Sequence, residues 1–311
     1  AGVNNSVDAN ASLYGAEAYG KDNVIAATGT SAFAVGYNNT VSGDNSFVYG
    51  NANKATGTNA IAGGEYSRAA GRNSVAIGSS AQALQNDTFA IGSQARANGT
   101  DALAFGNGAY AENTATVAIG KTVKATEEGA LAIGFNTEAT ARDAIAIGGN
   151  VKEPGDTLAT QKTTASGRQS IALGYKANSK GVSGISIGTN AYSEGRGAVS
   201  IGSWSIASGD GATAVGGGHA RAESAVVVGS GNADGKESVS VGSYSRVYAE
   251  GAVGIGRNVF IDDSATDSVV VGSSSETITK KNVTAIGSNT YSEVENSVAL
   301  GTMARADEVV S

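Results

Sequence analysis

Asn73-Ser74-Val75-Ala76-Ile77-Gly78 is the stretch that decides the fold, because the chain keeps restating it. Variants read Ala102-Leu103-Ala104-Phe105-Gly106, Thr116-Val117-Ala118-Ile119-Gly120, Ala130-Leu131-Ala132-Ile133-Gly134 and Ala144-Ile145-Ala146-Ile147-Gly148. Further on come Ser183-Gly184-Ile185-Ser186-Ile187-Gly188 and Asn296-Ser297-Val298-Ala299-Leu300-Gly301. From Gly36 to Gly148 the closing glycine returns every 14 residues. Self-similarity at a short fixed period means one small unit stacked on copies of itself, so the chain grows along one axis instead of around one core.

Each unit has two parts. Before the glycine, large apolar residues alternate with small ones: Val75 and Ile77 around Ala76, Leu131 and Ile133 around Ala132. Alternation is the signature of a strand. After the glycine, Ala81 and Ala83, or Ala95 and Ala97, are flanked by polar residues, which predicts a second strand with one face buried and one in water. Gly43, Gly57, Gly71 and Gly99 fall seven residues after a closing glycine, and Asn45, Asn59, Asn73 and Asp101 follow each by two. Glycine with Asn or Asp is turn chemistry, expected to supply positive φ and side-chain-to-backbone hydrogen bonds. The unit is therefore expected to be a flattened coil of two short strands, each paired in parallel with its copy about 4.8 Å away. The whole is all-β, a narrow two-sheeted parallel β-roll of about 20 coils.

The period breaks at informative places. Residues 1–35 are read as irregular N-terminal coils, with Ser12-Leu13-Tyr14-Gly15 taken as a repeat end. Gly148 to Gly174 takes 26 residues, and the excess at 149–161 holds the single proline, Pro154, with Lys152, Glu153 and Asp156. Proline cannot donate to a ladder, so this segment is expected to be an inserted loop leaving the roll. Residues 302–311 read as a last coil.

Composition excludes several functions. There is no cysteine, so disulfides and thiolate metal sites are impossible. A net charge of −7 argues against nucleic acid as the main partner. No apolar run is long enough to span a bilayer, so any membrane contact is expected through an anchor outside this segment. The lone histidine, His219, reads as a polar turn residue with no second histidine to share a metal, and no serine sits in a strand–turn–helix context with a base. No cofactor, metal site or enzymatic activity is expected. Ordered threonine ranks, as ice binding requires, are absent: the outward positions hold Gln82, Arg96, Tyr110, Lys124 and Glu138.

The strand before the glycine is apolar on both faces, and such a strand needs cover on both sides. Nothing else in this chain supplies the second cover, so self-association through that strand is expected. Size argues that Val75, Ile77, Leu131, Ile133, Ile145 and Ile147 fill the roll against the small Ala81 and Ala83. On that assignment Ala76, Ala132 and Ala146 face outward, towards the partner chains.

The repeated phrase on its 14-residue period resembles the YadA-like head domain of trimeric autotransporter adhesins, over nearly the whole chain. The resemblance implies a homotrimer of left-handed rolls exposed at the bacterial cell surface. A neck, stalk and outer-membrane anchor would follow residue 311. It also implies an adhesin head that attaches to host matrix proteins, cell-surface receptors or other bacterial cells. Where the family motif ends in Ser this chain has Ala81, Ala95 and Ala109, so collagen binding is not carried over. A surface fibre's structural spacer, with binding carried elsewhere, is the alternative. Candidate contact residues are the outward aromatics Tyr66, Tyr110, Tyr192, Trp204, Tyr244 and Tyr291, all expected on the solvated strand, because exposed aromatics favour recognition.

Overall fold

A computed structural model describes residues 2–26, 30–149, 162–273 and 276–307. The chain forms two compact units, Ala1–Lys162 and Thr163–Ser311. Each is a parallel β-solenoid, and the described residues contain 20 copies of the strand that leads into a closing glycine, besides Gly2–Val3, which begins at one. In the first unit Val75–Ile77 pairs in parallel with Phe89–Ile91, which pairs with Leu103–Phe105, setting Ala76 beside Ala90 and Ala104. Gln82–Ala83 pairs with Arg96–Ala97, and that with Tyr110–Ala111, in the second sheet. The second unit repeats the scheme, with Ile171–Leu173 against Ile185–Ile187 and Asn178–Ser179 against Tyr192–Ser193.

The turn chemistry is divided differently from expectation. The Asn and Asp residues take the left-handed conformation, with φ of 52° at Asn45, 54° at Asn73 and 57° at Asp101. Their short polar side chains tolerate it and bond along the stack: Asn59 Nδ2 donates to Asn73 Oδ1 at 3.0 Å, and Asn73 Nδ2 to Asp87 Oδ1 at 2.7 Å. Gly57, two residues before such a turn, is required for a different reason. A Cβ there would lie 1.9 Å from the Gly71 carbonyl oxygen of the next coil. The closing glycine meets both demands, since Gly78 has φ +137° and a Cβ on it would lie 2.4 Å from Gly92 O.

The interior of a coil is thin, and this reverses the expected assignment of faces. Ala76, Ala132 and Ala146 are fully buried inside the single chain, together with Ala81, Ala83, Ala95 and Ala97. Val75, Ile77, Leu131, Ile133, Ile145 and Ile147 point outward and are only half-buried. The reason is steric: two sheets joined by tight turns leave room for methyl against methyl. Where a larger residue enters, its neighbour shrinks. Val247 and Val259 occupy the space beside Gly254, where an added Cβ would come within 2.7 Å and 3.0 Å of their methyl groups.

Two stretches fill the interior by opposite means. Near the start, Asn23, Asn39 and Asn53 form a buried amide ladder. Asn39 Nδ2 donates to Val35 O at 3.1 Å and Gly50 O at 2.9 Å, while its Oδ1 accepts from Asn53 N at 2.9 Å. Asn53 Oδ1 accepts from Ser67 N and Oγ at 2.8 Å and 2.7 Å. Such a ladder is stable because its side-chain donors and acceptors are paired. In the second unit Val247, Val259, Ile261, Val270, Ile278 and Val283 make an aliphatic cluster instead.

The N-terminal irregularity has a specific cause. Ser12-Leu13-Tyr14-Gly15 is not a repeat end. Residues Ala9–Leu13 form a short helix, capped where Asp8 Oδ1 accepts from Asn10 N at 2.9 Å. The repeat ends at Gly20, which pairs with Gly2 on one side and Gly36 on the other. In the second unit the repeat shortens at the turn between Gly216 and His219, and His219 lies in the strand His219–Ala220, not in a turn.

Candidate binding surface

Two outward surfaces follow from the coil. The sheet of first strands presents an apolar stripe. In the first unit it carries Val75, Ile77, Phe89, Ile91, Leu103, Phe105, Val117 and Ile119 on four successive coils. In the second unit it carries Ile171, Leu173, Ile185, Ile187, Val199 and Ile201 on three. These side chains shield each other along the stack but remain open outward: Phe105 is 51% exposed and Leu300 is 64% exposed. An exposed apolar patch of this extent marks a surface that meets another surface.

The sheet of second strands is polar. Its first outward rank in the first unit reads Lys54, Arg68, Gln82, Arg96, Tyr110, Lys124 and Glu138 in register. Glu138 is the anionic end of this rank, held by Lys162 Nζ at 2.6 Å and Lys124 Nζ at 3.6 Å. Ser80, Gln82, Gln94, Arg96, Gly108 and Tyr110 enclose a shallow concavity of about 590 Å³. Burial and the Glu112 carboxylate beside it raise the Tyr110 phenol above its usual pKa.

The six candidate aromatics divide between two positions. Tyr110, Tyr192 and Tyr291 lie on the second strand as expected, and all three are half-buried. Tyr66, Trp204 and Tyr244 do not. They occupy the turn after the closing glycine, with φ of 56°, 63° and 58°, and are 62%, 66% and 66% exposed. Ser80, Gln94 and Asn190 share that conformation at the same turn, so the position imposes it whatever the residue. The structure gathers the six into no single cluster. Tyr192 is engaged by Lys180, whose Nζ donates to its hydroxyl at 2.9 Å and lies 4.9 Å from the ring centroid. That hydrogen bond raises the Lys180 pKa. The Arg305 guanidinium lies 5.5 Å over the Tyr291 ring. Two groups escaped sequence reasoning. One is the cationic rank at Lys54, Arg68, Arg96 and Lys124, and the other is the edge-on pair Tyr248–Phe260, with centroids 5.4 Å apart.

Lys152, Glu153, Pro154 and Asp156 of the 149–161 segment lie outside the described residues. Among the described residues, no cluster of His, Asp or Glu is arranged to hold a metal ion, and no helix is long and apolar enough to cross a membrane. His219 Nδ1 lies 2.6 Å from Arg221 Nη2, and burial with that neighbouring cation lowers the imidazole pKa.

Comparison with known proteins agrees with the repeat. The family model described as YadA head domain repeat matches residues 27–51, 69–95, 97–121, 125–150, 165–191, 193–218 and 279–304, more than half of the chain. No curated protein matches the chain.

Proposed function

This chain belongs to the YadA head domain family, a structural adhesin domain and not an enzyme class, and from that premise we propose that it is the head of a homotrimeric surface adhesin. Three left-handed rolls would meet through the first-strand sheets. The observation that carries this reading is the apolar stripe of each unit, with Phe89 and Phe105 in the first and Leu173, Ile201 and Ile286 in the second, all exposed in the single chain. Burying it on a common axis removes apolar area from water at about 25 cal/mol per Å². It also leaves the second-strand sheets of all three chains turned outward.

Attachment then works by repetition. Three copies of each outward site on one scaffold convert weak contacts into firm ones, because the second and third contacts form at high effective concentration. The targets are host matrix proteins, cell-surface receptors or other bacterial cells, and an outer-membrane anchor beyond this segment tethers the head. Of the six candidate aromatics, Tyr66, Trp204 and Tyr244 are the most open to a partner, at 62%, 66% and 66% exposed.

The test is binding of the purified chain to immobilised matrix proteins and to cultured cells, with its solution mass measured on the same sample. Saturable binding by a trimer supports an adhesin head. A well-formed trimer that binds none of them would make the segment a spacer, with adhesion carried elsewhere on the fibre.

A further inference from the structure

The second-strand face of the first unit carries an arrangement of charge that the fold does not need. Lys54, Arg68, Gln82, Arg96, Tyr110 and Lys124 stand in register on six successive coils, all outward. At about 4.8 Å per coil the rank is roughly 24 Å long. Lys54 is directly beside Arg68, and like charges directly opposite on neighbouring strands are destabilising. Among the described residues no carboxylate lies within 4.0 Å of the cationic nitrogens of Lys54, Arg68 or Arg96. The flanking outward rank is neutral at Thr56, Ala70, Leu84 and Asn98, and its first acid is Glu112. In a chain of net charge −7, this is a local reversal of sign.

The concavity in the middle of the rank adds shape. It is lined by Arg96 together with Gln82, Gln94, Ser80 and Tyr110. We infer that this face binds a sulfated polysaccharide laid along the stack of coils. A linear polyanion matches a linear cationic rank, and the flat Tyr110 ring offers an apolar platform for the C–H face of a sugar. A guanidinium, two carboxamides and a hydroxyl are more donors than the two oxygens of a carboxylate take up. They suit the three terminal oxygens of a sulfate ester, to which Arg donates in a forked geometry. Duplex nucleic acid is a poorer fit, because its binding calls for a broadly cationic domain and the rank here is one side chain wide. The inference rests on the proposed assembly only in requiring that the second-strand face stay uncovered.

The test uses the full chain, its mass checked by sedimentation, with heparin as the probe. Dextran, a carboxylate-only polysaccharide and duplex DNA serve as comparisons. Wild type binds heparin with an affinity that falls as salt rises, and ignores dextran. Arg68→Gln with Arg96→Gln weakens heparin binding about tenfold and flattens the salt dependence, while circular dichroism and melting are unchanged. Tyr110→Ala weakens binding about threefold with the salt slope retained. Heparin binding that is absent, or equal in the double variant, overturns the inference. So does equal affinity for the carboxylate polymer or for DNA. Heparin binding by a chain that sediments as a monomer overturns the trimer proposal and leaves this inference standing. A trimer that ignores heparin does the reverse.

Discussion

On the outer face of the first-strand sheet, successive coils present Val75, Phe89, Leu103, Val117 and Leu131. On the outer face of the second-strand sheet, the same coils present Gln82, Arg96, Tyr110, Lys124 and Glu138. Behind both lie alanines, with Ala76, Ala90 and Ala104 on one side and Ala83, Ala97 and Ala111 on the other, all fully buried. The interior is therefore indifferent to which sheet is which, and the outward residues alone decide. The apolar sheet is built to be covered, while the polar one is already finished in water.

Substitution on the two sides of a strand breaks this comparison most severely. Ala132→Glu places an unpaired carboxylate in an interior sized for a methyl group, and is expected to cost more than about 3 kcal/mol. Loss of the β-sheet signal, or a collapse in the melting temperature, is the expected reading. Arg96→Glu, outward on the polar sheet, should stay within about 0.5 kcal/mol of wild type. Equal tolerance of both would show that the alanines are not interior.

A smaller effect distinguishes the amide-filled coils from the aliphatic ones. Asn53→Leu deprives the half-buried Tyr49 O and Gly64 O of their side-chain donor, and the buried Ser67 N and Oγ of their shared acceptor. At about 1–3 kcal/mol for a buried polar group left unpaired, chemical denaturation should show a clear loss. Val259→Ile in the second unit should cost about 1–3 kcal/mol by overpacking against Gly254, with no loss of hydrogen bonds. Tolerance of Asn53→Leu would mean that the ladder is dispensable.

The smallest effect is electrostatic. Burial and the Arg221 cation lower the His219 pKa, so the unfolded chain takes up this proton first. The second unit should then lose a little stability as pH falls below about 6.5, the ordinary histidine value, until the folded imidazole also protonates. Melting curves at pH 7.5 and 5.5 check this: the pH difference should shrink in His219→Gln. An unchanged difference would assign it to other groups.

The coil itself was legible in the sequence. Alternation around Ala76 and Ala83 and the spacing of Gly78 and Asn73 specify two strands and two turns, because backbone conformation is a local property. The direction of the faces was not legible. Alternation is symmetric between in and out, and only the gap between sheets, fixed by the tight turns, shows that Ala132 fits and Ile133 does not. The turn at Gly15 misled because a helix exit also ends in glycine, with φ +81° there. Tyr66, Trp204 and Tyr244 were placed on the strand because a turn two residues past the closing glycine accepts almost any side chain. The cationic rank was present at the 14-residue spacing, but its meaning depends on which charges lie across the sheet.

The central claim is that the apolar sheet, and not the polar one, joins the chains. Sedimentation equilibrium tests it with the wild type, with Ile119→Glu/Ile133→Glu on the apolar face, and with Arg68→Gln/Arg96→Gln on the polar face. The wild type and the polar-face variant are predicted at three times the 30.6 kDa chain mass, and the apolar-face variant at a single chain mass with its β-sheet signal kept. A wild type that sediments as one chain, or an apolar-face variant that stays trimeric, would contradict the account.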